Sequence, residues 1–214
     1  MKKRIIAFII FCLTVAGANA QVVQNAEQYR FALGLEWTLV KGLEFEVEPQ
    51  LRFSDGFSYD RFQIEGTLTY NPYKFIYVGA AYRLIAEPQG SSSPVEFNNK
   101  YAFNLSLKEK FGRFTPSVRC MYTNFADNNL NDNMYLRYRA GLKYNIRKCK
   151  FTPSVSFEAF HALDDNEFTK LRYNAEVSYK IKKGSSVYVD YKFDYFLQKF
   201  KNEHIVSVGY KASF

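Results

Sequence analysis

The side chains most able to do chemistry are charged residues that recur at every second position of several segments. In 43–53, Glu44, Glu46 and Glu48 alternate with apolar residues and Arg52 follows them. Alternate residues of a strand point to opposite faces, so these charges share one polar face. We expect such faces to line the interior of a closed sheet, where charges form ion pairs or border a path for an ion or solute.

Nine of these positions are the principal charges that we predict for this interior, the lumen: Glu44, Glu46, Glu48, Arg52, Arg61, Arg137, Arg139, Arg172 and Glu176. The same faces also carry Glu65, Arg83, Lys108, Arg119, Lys143, Glu158, Asp190, Lys192 and Asp194. An unpaired buried charge costs several kcal/mol, so the acidic row of 44–48 needs basic partners. We expect Arg137 and Arg139, or Arg61, to supply them.

Period-two alternation is the dominant pattern from Tyr29 to the end of the chain. It marks eleven segments, at 29–39, 43–53, 59–70, 74–86, 99–111, 114–125, 134–146, 150–161, 169–181, 185–197 and 203–214. Most span eleven or twelve residues, whereas soluble strands average about five or six and bilayer-spanning ones about 9–11. The pattern predicts an all-β fold, an antiparallel transmembrane β-barrel. Bacterial single-chain barrels have even strand numbers, so we expect 10 or 12 strands: either 21–28 adds a strand, or one segment lies outside the wall.

Connections and aromatic residues predict how the barrel is oriented. Short turns at 41–42, 71–72, 112–113, 147–148 and 183–184 alternate with loops at 55–58, 87–98, 126–133, 162–168 and 198–202. Membrane barrels have short periplasmic turns and longer extracellular loops. Aromatic residues mark both ends of the apolar rows, as in Trp37 and Tyr144 near the turns and Tyr29 and Tyr101 near the loops. Such girdles favour a membrane over a soluble barrel, in which the apolar face would point inward.

The first twenty residues have the pattern of a secretory signal peptide. Lys2, Lys3 and Arg4 precede an apolar run that ends in Ala18-Asn19-Ala20, which predicts cleavage before Gln21 and a single barrel domain over 21–214. Removing the three basic residues lowers the formal net charge from +8 to +5, which weakens any case for a nucleic-acid partner. We expect the outer membrane of a Gram-negative bacterium as the location, with outer-membrane lipid as a partner.

Several residues together resemble one exported family. They are the stretch Leu43-Glu44-Phe45-Glu46-Val47-Glu48-Pro49-Gln50-Leu51-Arg52-Phe53, the sequence Tyr59-Asp60-Arg61-Phe62, the Lys-rich turns and the terminal Phe214. The chain is similar to the family called domain of unknown function 2490. This resemblance implies an exported barrel over the whole mature chain and no catalytic residues. The last strand, with Tyr210 and Phe214 on its apolar face, also resembles the signal that barrel-assembly machinery recognises.

The function hypothesis is a porin-like barrel of structural, binding or narrow-channel type with a charged, largely filled lumen. The alternative is an enzyme at the extracellular rim, hydrolytic or lipid-modifying, because His161 and His204 lie near Asp164, Asp165 and Glu203. Both histidines fall at positions that point to the apolar face, which favours residues at the membrane interface, and we assign no catalytic residue.

The sequence has no metal-ligand spacing and indicates no cofactor. Cys120, mid-strand, and Cys149, in a turn, lie too far apart for a disulfide.

Overall fold

The computed structural model describes residues 24–88, 95–125, 134–199 and 201–214. The predicted signal peptide, the predicted loop 126–133 and residues 89–94 of the predicted loop 87–98 lie outside these residues, whereas 87–88 and 95–98 belong to strands and not to a loop. The strands are β1 (Gln24–Val40), β2 (Leu43–Ser54), β3 (Ser58–Tyr73), β4 (Ile76–Pro88), β5 (Val95–Lys108), β6 (Phe114–Phe125), β7 (Tyr135–Tyr144), β8 (Phe151–Ala162), β9 (Glu167–Lys182), β10 (Ser185–Phe196) and β11 (Lys201–Ser213). Within the described ranges, no helix is both long and apolar enough to span a bilayer.

The eleven strands form one closed barrel in sequence order, so the prediction of 10 or 12 strands was wrong. Consecutive strands pair antiparallel, whereas β1 and β11 pair parallel from Gln24 opposite Lys201 to Glu36 opposite Ser213. Because each hairpin reverses the chain, the first and last of eleven strands run in the same direction. A parallel ladder is only slightly weaker per residue than an antiparallel one, so it can close the wall.

Residues 24–28, which we considered as part of a twelfth strand, instead lengthen β1 to 17 residues. They pair with 201–205 of β11. Two bonds prolong the same seam at its other end, since the Phe214 amide donates to the Glu36 carbonyl at 2.9 Å and the Thr38 amide donates to the Phe214 carbonyl at 3.4 Å. The early residues therefore complete the closure rather than adding a strand.

The barrel has two distinct ends. The turn rim carries the connections after β1, β3, β5, β7 and β9, and the loop rim carries those after β2, β4, β6, β8 and β10. An odd number of strands puts the start of β1 and the end of β11 on opposite rims: Gln24 lies at the loop rim, and Phe214 lies at the turn rim.

Most predicted turns occur where the sequence placed them, with one exception. Lys41-Gly42 and Lys183-Gly184 join their strands directly, but β3 continues through the predicted turn Asn71-Pro72 to Tyr73. The side-chain amide of Asn71 donates to the carbonyls of Tyr73 at 2.7 Å and Ile76 at 2.8 Å, and the register shifts between Tyr70 and Tyr73. This irregularity accommodates Pro72, which has no N–H for the ladder, and moves the turn to residues 74–75.

The barrel is polar inside and apolar outside. Its most buried side chains point into the lumen and include Gln50, Gln63, Glu158, Asp190 and Asp194. Large apolar side chains on the opposite face are exposed, among them Phe31, Leu51, Leu68, Leu105, Val155 and Val208. The fold therefore has a polar core and an apolar outer wall.

Candidate functional site in the lumen

The nine predicted lumen charges lie on the inward faces of their strands. The four charges on β2 lie an even number of positions from buried Gln50, so they point to the same face as Gln50. Arg61 likewise points to the same face as buried Gln63. Arg172 and Glu176 flank buried Asn174, while Arg139 stands opposite buried Glu158. The structure does not bring the nine into one cluster, because they are distributed over four strands, β2, β3, β7 and β9.

The pairing that we expected for the acidic row was wrong. Arg137 bonds to Glu158 at 3.0 Å, Arg139 Nε donates to the Ser156 hydroxyl at 3.0 Å, and Arg61 pairs with Asp60 at 2.9 Å and with Glu87. The register instead sets like charges opposite each other on β2 and β3. Glu48 faces Glu65, and Arg52 faces Arg61.

Part of the acidic row receives its cation from a strand that the sequence did not indicate. Lys211 Nζ on β11 lies 2.9 Å from Glu46 on β2 and 2.8 Å from Glu36 on β1. Gly34 makes this contact possible, because a Cβ there would stand 3.0 Å from the Glu46 carboxylate and 3.5 Å from the Lys211 side chain. The Ser213 hydroxyl donates to Glu36 at 2.9 Å and completes the group.

Two buried carboxylates organise the wall formed by β6 to β10. Glu158, with its side chain 4% exposed, accepts bonds from Arg119 at 2.9 Å and Arg137 at 3.0 Å. Asp194, fully buried, accepts two bonds from Arg172 at 2.6 Å and is 2.8 Å from Lys170. The Arg172 contact has the bidentate fork geometry that makes such pairs strong and well oriented. Each carboxylate thus holds two cations.

Phe160 anchors three of those cations from the inner wall of β8. Its ring centre lies 4.3 Å from Lys170 Nζ, 4.6 Å from the Arg137 guanidinium carbon and 5.3 Å from that of Arg172. Cations within about 6 Å of an aromatic face are attracted to its quadrupole. We call Arg119, Arg137, Glu158, Phe160, Lys170, Arg172 and Asp194 the ion-pair layer.

The other side of the lumen is closed by amides. The side-chain oxygen of Gln50 accepts bonds from Arg52 Nε at 2.7 Å and from the side-chain amide of Gln63 at 3.1 Å. Gln28 accepts a bond from Arg30 Nε at 2.5 Å, and buried Ile85 and Asn98 continue this surface. All of these residues lie in the loop-side half of their strands, as does most of the ion-pair layer. Side chains therefore narrow the loop-side half of the lumen.

The lumen holds a cavity toward each rim. The turn-side cavity has a volume of about 490 Å³ and is bordered by Glu46, Thr67, Asn104, Lys108 and Arg139 among others. The loop-side cavity is smaller, about 240 Å³, and is bordered by Lys100, Arg137, Phe160 and Lys170 among others. Arg119 borders the first cavity and Arg137 the second, and Glu158 bonds to both. The ion-pair layer therefore separates the two spaces.

The histidines lie apart from this layer, on the outer face near the loop rim. His161 Nε2 is 3.1 Å from the Asn166 side-chain oxygen, and its ring stacks on Phe168. His204 Nδ1 is 2.6 Å from the Tyr191 hydroxyl and its ring lies against Phe193. These contacts join neither ring to a carboxylate or to a serine. Asp164, a candidate partner, instead accepts the Met134 amide at 3.0 Å.

The outer surface has aromatic clusters at both rims. Trp37 stacks on Phe214, Phe114 packs on Tyr144 and Phe151 packs on Tyr179, all near the turn rim. Near the loop rim, Phe31 packs on Phe53 and Tyr101 on Tyr122. The predicted assembly residues lie on this surface, where Tyr210 donates to the Ser185 hydroxyl at 3.1 Å and Phe214 is exposed. Cys120 and Cys149 are free and exposed.

Among the described residues, no three His, Cys, Asp or Glu side chains are grouped so that they could hold a metal ion. Sequence reasoning placed Glu158 and Asp194 on the inward faces but did not identify them as the centres of a network. It also gave no role to Lys170 or Phe160. The inward parity of these residues was visible in the sequence, but the partners of each were not.

A search of curated proteins found no match to this chain. Residues 31–204 match the family model described as "Protein of unknown function (DUF2490)". Since this match covers most of the sequence, the resemblance noted from the residues is confirmed, and the chain belongs to the DUF2490 family.

Proposed function

We propose that this protein is an outer-membrane barrel of the binding type, whose lumen is closed to bulk solutes at rest. The observation that carries this proposal is the inverted distribution of its side chains. An apolar outer wall with aromatic residues at both rims suits a bilayer, and a polar interior suits a barrel that encloses water and solutes. Its strands of 10 to 17 residues are long enough for a tilted span, which takes about 9–11.

Export, assembly and orientation follow from the same proposal. The signal peptide 1–20 directs the chain out of the cytoplasm, and the barrel-assembly machinery recognises the last strand with Tyr210 and Phe214. The turn rim faces the periplasm and the loop rim faces the cell exterior. Outer-membrane lipid covers the apolar wall, and nucleic acid is not a partner.

The narrowed loop-side half of the lumen favours binding or narrow conduction over general diffusion. Glu158 and Asp194 hold four cations across β6 to β10, and the Gln50 group fills the opposite side. A wide porin instead leaves an open aqueous channel. The turn-side cavity of about 490 Å³ is therefore a polar chamber that opens toward the periplasm.

Planar-bilayer recording of the purified mature protein tests this proposal, after a heat-modifiable gel shift has shown that it is folded. We expect the wild type to give no large conductance steps. Glu158→Gln removes the charge that holds Arg119 and Arg137, so larger, anion-selective steps should follow. Glu44→Gln is the matched control, because Glu44 lies near the turn rim and takes part in none of the ion pairs described above.

Two results would contradict the proposal. Large ohmic steps from the wild type would show that the lumen is open. A monomer that stays soluble without detergent would show that the apolar wall does not face lipid.

A further inference from the structure

We infer that the loop-side cavity is a binding site for a small organic anion, a carboxylate with an apolar body. This inference rests on the proposed function, because it places the site at the external mouth of a membrane barrel. The cavity of about 240 Å³ lies above the ion-pair layer and is lined from β5 to β10. A space of this volume suits a compound about the size of a single substituted ring.

The polar part of the wall presents cations to the cavity. Lys100 on β5, Arg137 on β7 and Lys170 on β9 border it, so positive charge surrounds the space from three separate strands. The two carboxylates beneath them do not neutralise this charge, because each of them pairs with two cations. Glu158 pairs with Arg119 and Arg137, and Asp194 pairs with Arg172 and Lys170.

The charge balance around the cavity is positive. The cations at its wall and in the layer below are Lys100, Arg119, Arg137, Lys170, Arg172 and Lys199. The nearby carboxylates are Glu96, Glu158, Asp165 and Asp194. Arg30 and Glu203, on the neighbouring strands β1 and β11, add one charge of each sign. At the lining itself four cations stand against the single carboxylate of Asp165, and a bound monocarboxylate would be attracted to this excess of positive charge.

The rest of the wall is aromatic and favours a ligand with an apolar part. Tyr135, Phe160 and Phe196 border the cavity, and Lys170 lies 5.2 Å from the Phe196 ring centre as well as against Phe160. These rings hold the cations in place, so the site is organised before a ligand enters. Thr123 also borders the cavity, is 2% exposed and has a hydroxyl with no partner within the described chain, so this hydroxyl is available to a ligand.

Isothermal titration of the full mature protein in detergent, with benzoate as the probe, tests this inference. We expect saturable binding of benzoate, and no measurable binding of benzamide or benzylamine at the same concentration. Those two compounds keep the ring but replace the negative charge with a neutral or positive group. Equal binding of all three, or no binding of benzoate at millimolar concentration, would overturn the inference.

A pair of variants on one strand shows whether binding occurs at this cavity. Lys100→Gln removes a cation from its wall, and we expect about tenfold weaker benzoate binding or more, the usual effect of losing a charge-assisted hydrogen bond. Lys108→Gln removes the same charge from the same face of β5, but it borders the turn-side cavity about 26 Å away at roughly 3.3 Å per residue. It should bind benzoate as the wild type does.

An equal loss in both variants would overturn the assignment to this cavity. The heat-modifiable gel shift and insertion into vesicles are measured on every variant. If these succeed while benzoate fails to bind, the site is refuted and the membrane barrel stands. If the wild type does not insert, the proposed function itself fails.

Discussion

Glu158→Gln should destabilise the barrel more than any other single Glu→Gln change that we consider. The Glu158 carboxylate is 4% exposed and accepts one charge-assisted bond from Arg119 and one from Arg137. Such bonds contribute about 1.5–3 kcal/mol each. Glutamine keeps one neutral acceptor, and the arginine side chains are 24% and 17% exposed, so water compensates part of the loss. We therefore expect a decrease of about 2–3 kcal/mol in the free energy of unfolding.

Urea unfolding in lipid vesicles measures this decrease. Trp37, the single tryptophan, stacks on Phe214 at the turn rim and reports departure from the folded wall by its fluorescence. With a slope of about 2 kcal/mol per molar urea, the midpoint should fall by about 1 M or more. Glu44→Gln, which removes an equal charge near the rim, should shift the free energy of unfolding by less than about 0.5 kcal/mol. Equal midpoints for the two variants would refute the central role of Glu158.

Three further predictions concern topology, assembly and catalysis. Because β1 begins at the loop rim, an epitope placed before Gln24 should bind antibody on intact cells. An epitope inserted between Lys183 and Gly184 should bind only after permeabilisation, and the reverse pattern would show that the turn rim faces the cell exterior. Phe214→Ser should lower the fraction of protein that runs as the folded band in membranes, because it removes the Trp37 contact and the terminal aromatic, and Phe214→Tyr should restore it. His161→Ala and His204→Ala should leave the products formed from lipid A and peptide substrates unchanged, since neither ring contacts a carboxylate or serine; a lost product would revive the rim enzyme.

The strands were predictable because their signal is local. Alternation of apolar and polar residues repeats within each segment, and the observed strand bounds differ from the predicted ones by a few residues. Two of the larger differences have identifiable causes. Pro72 adds an irregularity that extends β3, and the pairing with β11 extends β1 back to Gln24.

The strand number and the ion pairs were not predictable, because both depend on contacts between distant residues. The even-number rule describes other barrels and carries no information about how β1 meets β11. Lys211 reaches Glu46 across β1 only because the stagger of the strands and the missing side chain of Gly34 allow it. The alternation within each strand identified which charged residues point into the lumen and can form ion pairs. The register between the strands decides which of these residues come into contact.

Cys120 and Cys149 provide the most direct test of membrane insertion. Cys120 and Cys149 are both exposed, the first in the middle of β6 on the apolar face and the second at the turn rim. A charged, water-soluble maleimide would therefore reach both in a soluble barrel. In a membrane barrel, lipid should protect Cys120 while Cys149 remains in water.

Labelling should be measured on protein in outer membranes, before and after permeabilisation and after heating in SDS. Our account predicts that Cys149 reacts once the membrane is permeabilised and that Cys120 reacts only after heating. Reaction of Cys120 as fast as Cys149 in unheated membranes would contradict the claim that the apolar wall faces lipid.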